Sequence, residues 1–438
     1  MRALTRTEWL VCIAAGLGFA FDLYESIMNA LIVGPSITSL TGWLPGSPEF
    51  NSWVGWFFLI PMVTGGVAGF YGGYLTDRFG RRRVLVWSIV IYSGSAAAAS
   101  HATSLPALLL FRCTTLVGVC VEAVAAVAWI AELFPEPRRR ERVLALTQAC
   151  YPIGGVLVSV AYFAAVTAGE QWPAICGAHE AWRYTLLSGL LPAFPLMVLR
   201  PFLPESPLWL AQRGGATARP PRLREFLSPP LAGRTSIITM ICACTLALSF
   251  GALQHTPRMV PGIAQHLAAS PQAVQQLVSL VFLLQETGSI SGRVLFAWLV
   301  VRVARRRQLL RLFLYPSLVI FAAVFFFAAS RSVIAFAVGA FLAQALFNCL
   351  HSFWGNYLPR MFPTRLRGTG ESVAMNLGGR VLAVTAAMLT TQLAGVMPGD
   401  SAALKLSYAA GTTATFALAA AGILSRWLPE PDAATLPE

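Results

Sequence analysis

Charge is scarce in this 438-residue chain. Asp, Glu, Lys and Arg together make up 12% of it, about half the density of a soluble globular domain. That shortage excludes an ordinary cytosolic enzyme, a disordered protein and a nucleic-acid binder that lives in water. Lysine is almost missing, since 31 of the 32 basic residues are Arg and Lys405 is the exception. No GxxxxGK[ST] phosphate loop occurs, which argues against ATP-driven work within the chain. HExxH and GxSxG are also lacking, and the five His are scattered, so no catalytic constellation forms. The eight Cys show no CxxC or Cys/His ligand spacing, and seven lie in apolar stretches. They read as small buried residues, with neither a disulfide framework nor a metal site.

Long apolar runs are what the chain does have. Twelve segments approach the roughly 20 residues needed to cross a bilayer. They lie near 9–34, 51–75, 84–100, 106–130, 143–168, 183–203, 234–255, 274–300, 310–329, 332–353, 371–396 and 403–427. The first is too long for a signal peptide and has no small-residue cleavage site. With both termini inside, 25 of the 32 basic residues fall on the cytoplasmic face, including Arg200. Arg183, Arg258, Arg331 and Lys405 fall on the opposite face, and Arg112, Arg293 and Arg380 within spans. This is the positive-inside pattern, so the net charge of +13 reports topology and not a nucleic-acid partner.

The spans divide six and six. Residues 204–233 carry Pro204, Pro207, Pro220, Pro221, Pro229 and Pro230, a density that blocks a continuous helix and predicts a cytoplasmic linker between units 1–203 and 234–438. The halves repeat. Gly72-Gly-Tyr-Leu-Thr-Asp77-Arg-Phe-Gly80-Arg-Arg-Arg83 follows the second span, and Gly292 to Arg307 follows the eighth, with Val301 opposite Asp77. Glu132-Leu-Phe-Pro135 after the fourth span matches Arg360-Met-Phe-Pro363 after the tenth.

At these residues the chain resembles the major facilitator superfamily of transporters, through the loop signature at Gly73–Arg82. Pro204-Glu-Ser-Pro-Leu-Trp-Leu210 is similar to a motif ending the sixth helix of its sugar porters and metabolite:proton symporters. Gly118–Glu122, Glu132–Pro135 and Gln148-Ala-Cys-Tyr-Pro-Ile-Gly154 resemble the sialate and carboxylate symporters, and Phe21-Asp22-Leu-Tyr-Glu25 the aromatic-acid symporters. The resemblance implies an all-α membrane protein with twelve transmembrane helices in two six-helix bundles around a central cavity. Two departures stand out: Val301 replaces an acid of the second loop signature, and Arg360 stands where relatives place Glu. A cytoplasmic latch would then lean on the N-terminal half.

Ionisable residues inside spans carry most of the functional information, because a charge at mid-bilayer costs about 2.5–3.5 kcal/mol or more. Asp22 and Glu25 are three apart and share a helix face. Two such carboxylates in a low dielectric resist being ionised together, and reversible protonation is what proton coupling requires. The competing reading puts Glu25 in a wet vestibule. Arg112 and Glu122 are ten residues apart on the fourth span, about 15 Å, so each needs a partner on another helix. Asp22 is the expected partner of Arg112, either as an ion-pair switch or as a structural tie. Asp22, Glu25, Arg112 and Glu122 are thus the coupling candidates.

Gly73, Asp77, Arg78, Gly80, Arg81 and Glu132 are the gating candidates, Gly72 and Gly73 for close helix approach and Gly80 for a tight turn. The plain alternative is a solvated loop whose Arg residues only set topology. Polar stripes supply the substrate candidates. Gln344, Asn348 and His351 share a face of the tenth span, and Ser372, Asn376 and Arg380 recur every four residues on the eleventh. Gln254 and His255 are expected to end the seventh, Gln285 and Glu286 sit in the eighth, and Gln148 and Tyr151 lie in the fifth. Such stripes also glue helices together. The Arg380 fork suits a bidentate grip on a carboxylate.

The expectation is a secondary active transporter, not an enzyme: a proton-coupled symporter of a small organic anion working by alternating access. It needs no cofactor beyond protons and no metal. It is expected to be monomeric, in the cytoplasmic (inner) membrane, with both termini cytoplasmic and only lipid and substrate as partners. Neutral sugar or polyol transport, using Gln254, Gln285, Asn348 and Trp354, is the second reading. A non-transporting membrane sensor on the same fold is the third.

Overall fold

The computed structural model describes residues 5–134, 136–212, 229–267, 269–303, 305–362, 370 and 373–430. The expectations placed on Pro363, Arg365, Arg367, Ser372 and most of the 204–233 segment lie outside that set. The described chain is helical, and its one β feature is an isolated bridge between Ile175 and Ala178. Helix is the physical default here, because it satisfies every backbone donor and acceptor locally where no water is available.

Eleven described helical stretches are long and apolar enough to cross a membrane. The expected eighth span is also present, as the 30-residue helix Pro271–Val300, which carries Gln, Glu and Arg residues and is not among those eleven. Five of the six even-numbered spans start on a serine cap. The hydroxyls of Ser47, Ser104, Ser270, Ser332 and Ser401 accept from the backbone N–H three residues ahead. Each cap removes one of the four orphan donors of a helix start.

Several spans are interrupted. The fifth is split between Pro137–Ala149 and Ile153–Ala168, and the sixth between Ala181–Ser188 and Leu190–Leu199. The seventh does not end at His255. Pro229–Gly251 passes through a 3₁₀ turn, Leu253–His255, and continues as Thr256–Ile263. The start of the eleventh span, Val373–Leu382, is a π-helix, with Ala383 N–H donating five residues back to Gly378 O at 2.9 Å.

The helices form two compact units. One comprises Met1–Leu40 and Ile60–Ala218, the other Thr41–Leu59 and Arg219–Glu438. The division departs from the sequence boundary at two places. Thr41–Leu59 belongs to the second unit, where Asn51 Oδ1 accepts from Arg258 Nη2 at 3.1 Å. The first stretch of the expected linker is not loose chain: Pro207–Gln212 is helical, and Trp209 Nε1 donates to Asp77 O at 2.7 Å within the first unit.

Candidate functional site

Three buried acid centres organise the spans. The first joins the first and fourth spans, and it corrects the expected pairing. Arg112 is bound to Glu25, with Nη1 to Oε2 at 3.3 Å and Nη2 to the Glu25 backbone O at 2.7 Å. Both side chains are 1% exposed, so Glu25 does not face a wet vestibule. Glu25 Oε1 is buried with no hydrogen-bond donor. Asp22 is also buried, one helical turn earlier, and its backbone O accepts from Ser26 Oγ at 2.6 Å. The break in the sixth span makes room for this pair. A Cβ on Gly189 would collide with Glu25 Oε1, and the neighbouring Ser188 Oγ hydrogen-bonds Tyr24 Oη at 2.6 Å.

The second centre was not visible in the sequence. Glu122 pairs with Arg200, one of the cations of the cytoplasmic charge pattern, and both are 2% exposed or less. Arg200 Nη1 also donates to Leu85 O at 3.4 Å, so the pair links the third, fourth and sixth spans.

The loop signature condenses around Arg81. Its Nη2 contacts Asp77 Oδ1 at 2.8 Å and Glu132 Oε1 at 2.7 Å, while Arg81 itself is nearly buried. Arg78 stays exposed, stacked over Tyr74 and Phe79. Gly72 does pack closely, against Val121 Cα, but a Cβ on Gly73 would meet nothing within 4 Å. Gly73 therefore does not serve close approach within the described chain. Gly80 has φ +95°, and a Cβ there would lie 2.7 Å from Glu205 Oε2 and 3.2 Å from the Trp209 ring. Backbone and space both demand glycine. Gly80→Ala is expected to cost about 1–3 kcal/mol from the backbone alone, read as a lowered apparent Tm of the solubilised protein. An unchanged Tm would contradict this account.

Glu205 explains why the Pro-Glu-Ser-Pro segment docks here. Its two oxygens accept the Arg82 backbone N–H at 3.1 and 3.2 Å, capping the third span. Arg82 Nη1 returns to Leu203 O at 3.3 Å, and Trp129 Nε1 donates to Pro204 O at 3.0 Å. The second half repeats each element. Glu430 caps the ninth span through the N–H groups of Arg306 (2.9 Å) and Arg307 (2.8 Å). Arg307 Nε donates to Leu428 O at 3.1 Å, and Tyr357 Oη to Pro429 O at 2.6 Å. Leu203-Pro-Glu205 and Leu428-Pro-Glu430 are one device used twice, and the repeat was there to be read. No counterpart of the Asp77–Arg81–Glu132 cluster occurs among the described residues of the second unit, where Val301 is 80% exposed.

The third acid centre lies in the second unit. Gln344 Nε2 reaches Glu286 Oε1 at 3.1 Å and Ser289 Oγ at 2.8 Å, and Asn348 Nδ2 reaches Ser289 Oγ at 3.0 Å. Gln285 Nε2 donates to Leu253 O at 3.3 Å, at the break in the seventh span. His351 stacks on Phe347 with an interplanar angle of 12°. His255 sits at the break with Nδ1 accepting from Arg258 Nη1 at 3.2 Å, and Gln254 Nε2 donates to Ser249 Oγ at 3.0 Å. Arg380 Nη1 donates to Asn376 Oδ1 at 2.9 Å within the π-helix. In the first unit, Gln148 is exposed at the end of Pro137–Ala149 and Tyr151 is half-buried in the following turn.

A family profile described as Major Facilitator Superfamily matches residues 10–386. A putative niacin/nicotinamide transporter of Bacillus subtilis (strain 168) is 26% identical over 370 residues, covering 83% of each chain. A sialic acid transporter of Escherichia coli (strain K12) is 23% identical, covering 87% of this chain and 86% of its own. Among solved structures, a D-xylose-proton symporter superposes with a TM-score of 0.75 at 19% identity, over 98% of this chain and 99% of its own.

Proposed function

The chain belongs to the Major Facilitator Superfamily and is a multi-pass membrane transporter, not an enzyme; from that premise we propose that it is a proton-coupled symporter of a small organic acid. The observation that carries the reading is the Glu25–Arg112 pair, 1% exposed on both sides. With Glu25 ionised the pair is neutral. Protonating Glu25 leaves a buried guanidinium whose charge is uncompensated, and an anion is then the partner that restores neutrality. One proton and one organic anion cross together with no net charge. The niacin and sialic acid transporters among the relatives support an acid as cargo.

Arg380 is the proposed carboxylate clamp of the second unit. The hydrogen bond to Asn376 Oδ1 fixes the plane of its guanidinium, which favours a bidentate grip. Arg380→Lys replaces the fork by a point charge, and at least a tenfold weaker affinity for the organic anion is expected, about 1.4 kcal/mol. Equal affinity would return Arg380 to a structural role. The Arg81 cluster is proposed as the cytoplasmic latch, on one half only. The transporter is placed in the cytoplasmic membrane as a monomer, termini inside, with protons as its only coupling species.

Proteoliposomes with an acidic exterior test the function directly, using nicotinate, sialate, xylose and arabinose. Gradient-dependent accumulation of an acid supports the proposal. Accumulation of the sugars alone would overturn it in favour of the amide cluster at Gln344 and Asn348 acting on hydroxyls.

A further inference from the structure

Of the buried glutamates in the spans described above, Glu25 and Glu122 each face a guanidinium, and Glu286 does not. We propose that Glu286 is a second proton-binding site, seated wholly in the second unit and distinct in kind from Glu25. The inference extends the proton-coupled reading given above to another group.

Glu286 is 2% exposed, midway along Pro271–Val300. Its partners are all neutral: Gln344 Nε2 at 3.1 Å, Ser289 Oγ at 3.3 Å and Gln285 Nε2 at 3.5 Å. The titratable groups on its own and neighbouring elements include Arg293, His351, His255 and Arg258, with the thiol of Cys349 and the phenol of Tyr357 on the tenth span. None of them forms an ion pair with it among the described residues. Arg258 is turned instead to Asn51 and His255.

An ionised carboxylate in that setting would be a buried charge without a counter-ion. None of the three contacts comes from a charged donor. The carboxyl hydrogen also has a place to go. Gln344 Oε1 is buried without a donor. Exchanging the amide N and O of Gln344 turns the 3.1 Å contact into O–H···O=C.

The cluster is tied to the break in the seventh span as well. Gln285, adjacent to Glu286, holds the carbonyl of Leu253 in the 3₁₀ turn that interrupts the seventh span. The same Gln285 Nε2 contacts Glu286 Oε1, so a change at that turn would alter the donors available to the carboxyl.

Infrared spectroscopy of the full-length protein in liposomes reads the proton without any substrate. The expected result at pH 7 is a deuterium-sensitive carboxylic acid C=O band that is lost in Glu286→Gln, kept in Glu25→Gln, and reversibly lost on alkalisation towards pH 10. Ser289→Ala and Gln344→Met should shift the frequency of the same band, which preserves the test if Glu286→Gln does not fold. Absence of any band that depends on Glu286 or on these two neighbours would mean that it is ionised, and would overturn the proposal. A Glu286 band unchanged to pH 10 would overturn it too, leaving a permanently protonated structural acid. Failure of the Glu25 reading would appear instead in transport by Glu25→Gln and would leave this band untouched.

Discussion

Glu25→Gln is expected to abolish accumulation of the organic acid against its gradient while leaving substrate exchange measurable. The amide keeps the shape of the carboxyl but cannot lose a proton, so the site is fixed in the state that proton loading produces. Arg112 would keep one acceptor, because its Nη2 is bound to the Glu25 backbone O at 2.7 Å and not to the side chain alone. That retained bond is the reason to expect a folded protein. Proteoliposomes with and without an imposed pH gradient separate the two activities. Undiminished uphill uptake would remove Glu25 as the coupling group. Asp22→Asn is the companion measurement, and since Glu25 is the acid that carries the Arg112 ion pair, it should leave the gradient-driven component larger than Glu25→Gln does.

The contrast between these two acids shows what a sequence can and cannot specify in a membrane bundle. The bilayer fixes span length and forbids unpaired backbone, so the spans and the repeat were legible from apolar runs and from Arg positions. Asp22 and Glu25 differ by only about 60° around the helix. Which of them meets Arg112 depends on helix rotation, and that is set by packing no periodicity reports, such as the absence of a side chain at Gly189 beside Glu25. Charge counting is silent on a related matter. Arg81 and Arg200 counted as cytoplasmic topology signals, yet both are buried on acids. An Arg near a span end can snorkel outwards or turn inwards, and the one-dimensional pattern is the same. The π-helix that carries Asn376 and Arg380 was likewise not legible in the four-residue spacing that suggested a plain stripe. Glu430 is different: its Leu-Pro-Glu signal was present in the sequence and simply needed the first copy, at Glu205, to be seen as a helix cap.

Arg200→Met is expected to be the most destabilising single change among these sites. Removing the guanidinium leaves Glu122, 1% exposed, as a buried charge without its partner, a situation that costs about 3–5 kcal/mol. No exposed rotamer offers an escape, because Glu122 lies within the fourth span against the third and sixth. The first span closes the remaining side, where a Cβ on Gly18 would already come within 2.9 Å of Glu122 Oε1. The double variant Glu122→Gln with Arg200→Met removes both charges and should recover most of the loss, since uncharged replacements of a buried pair are often close to neutral. Apparent Tm of the parent, both single variants and the double variant, in one detergent at fixed concentration, completes the cycle. A single Arg200→Met variant as stable as the parent, or a double variant no more stable than that single one, would show that this pair does not hold the third, fourth and sixth spans together.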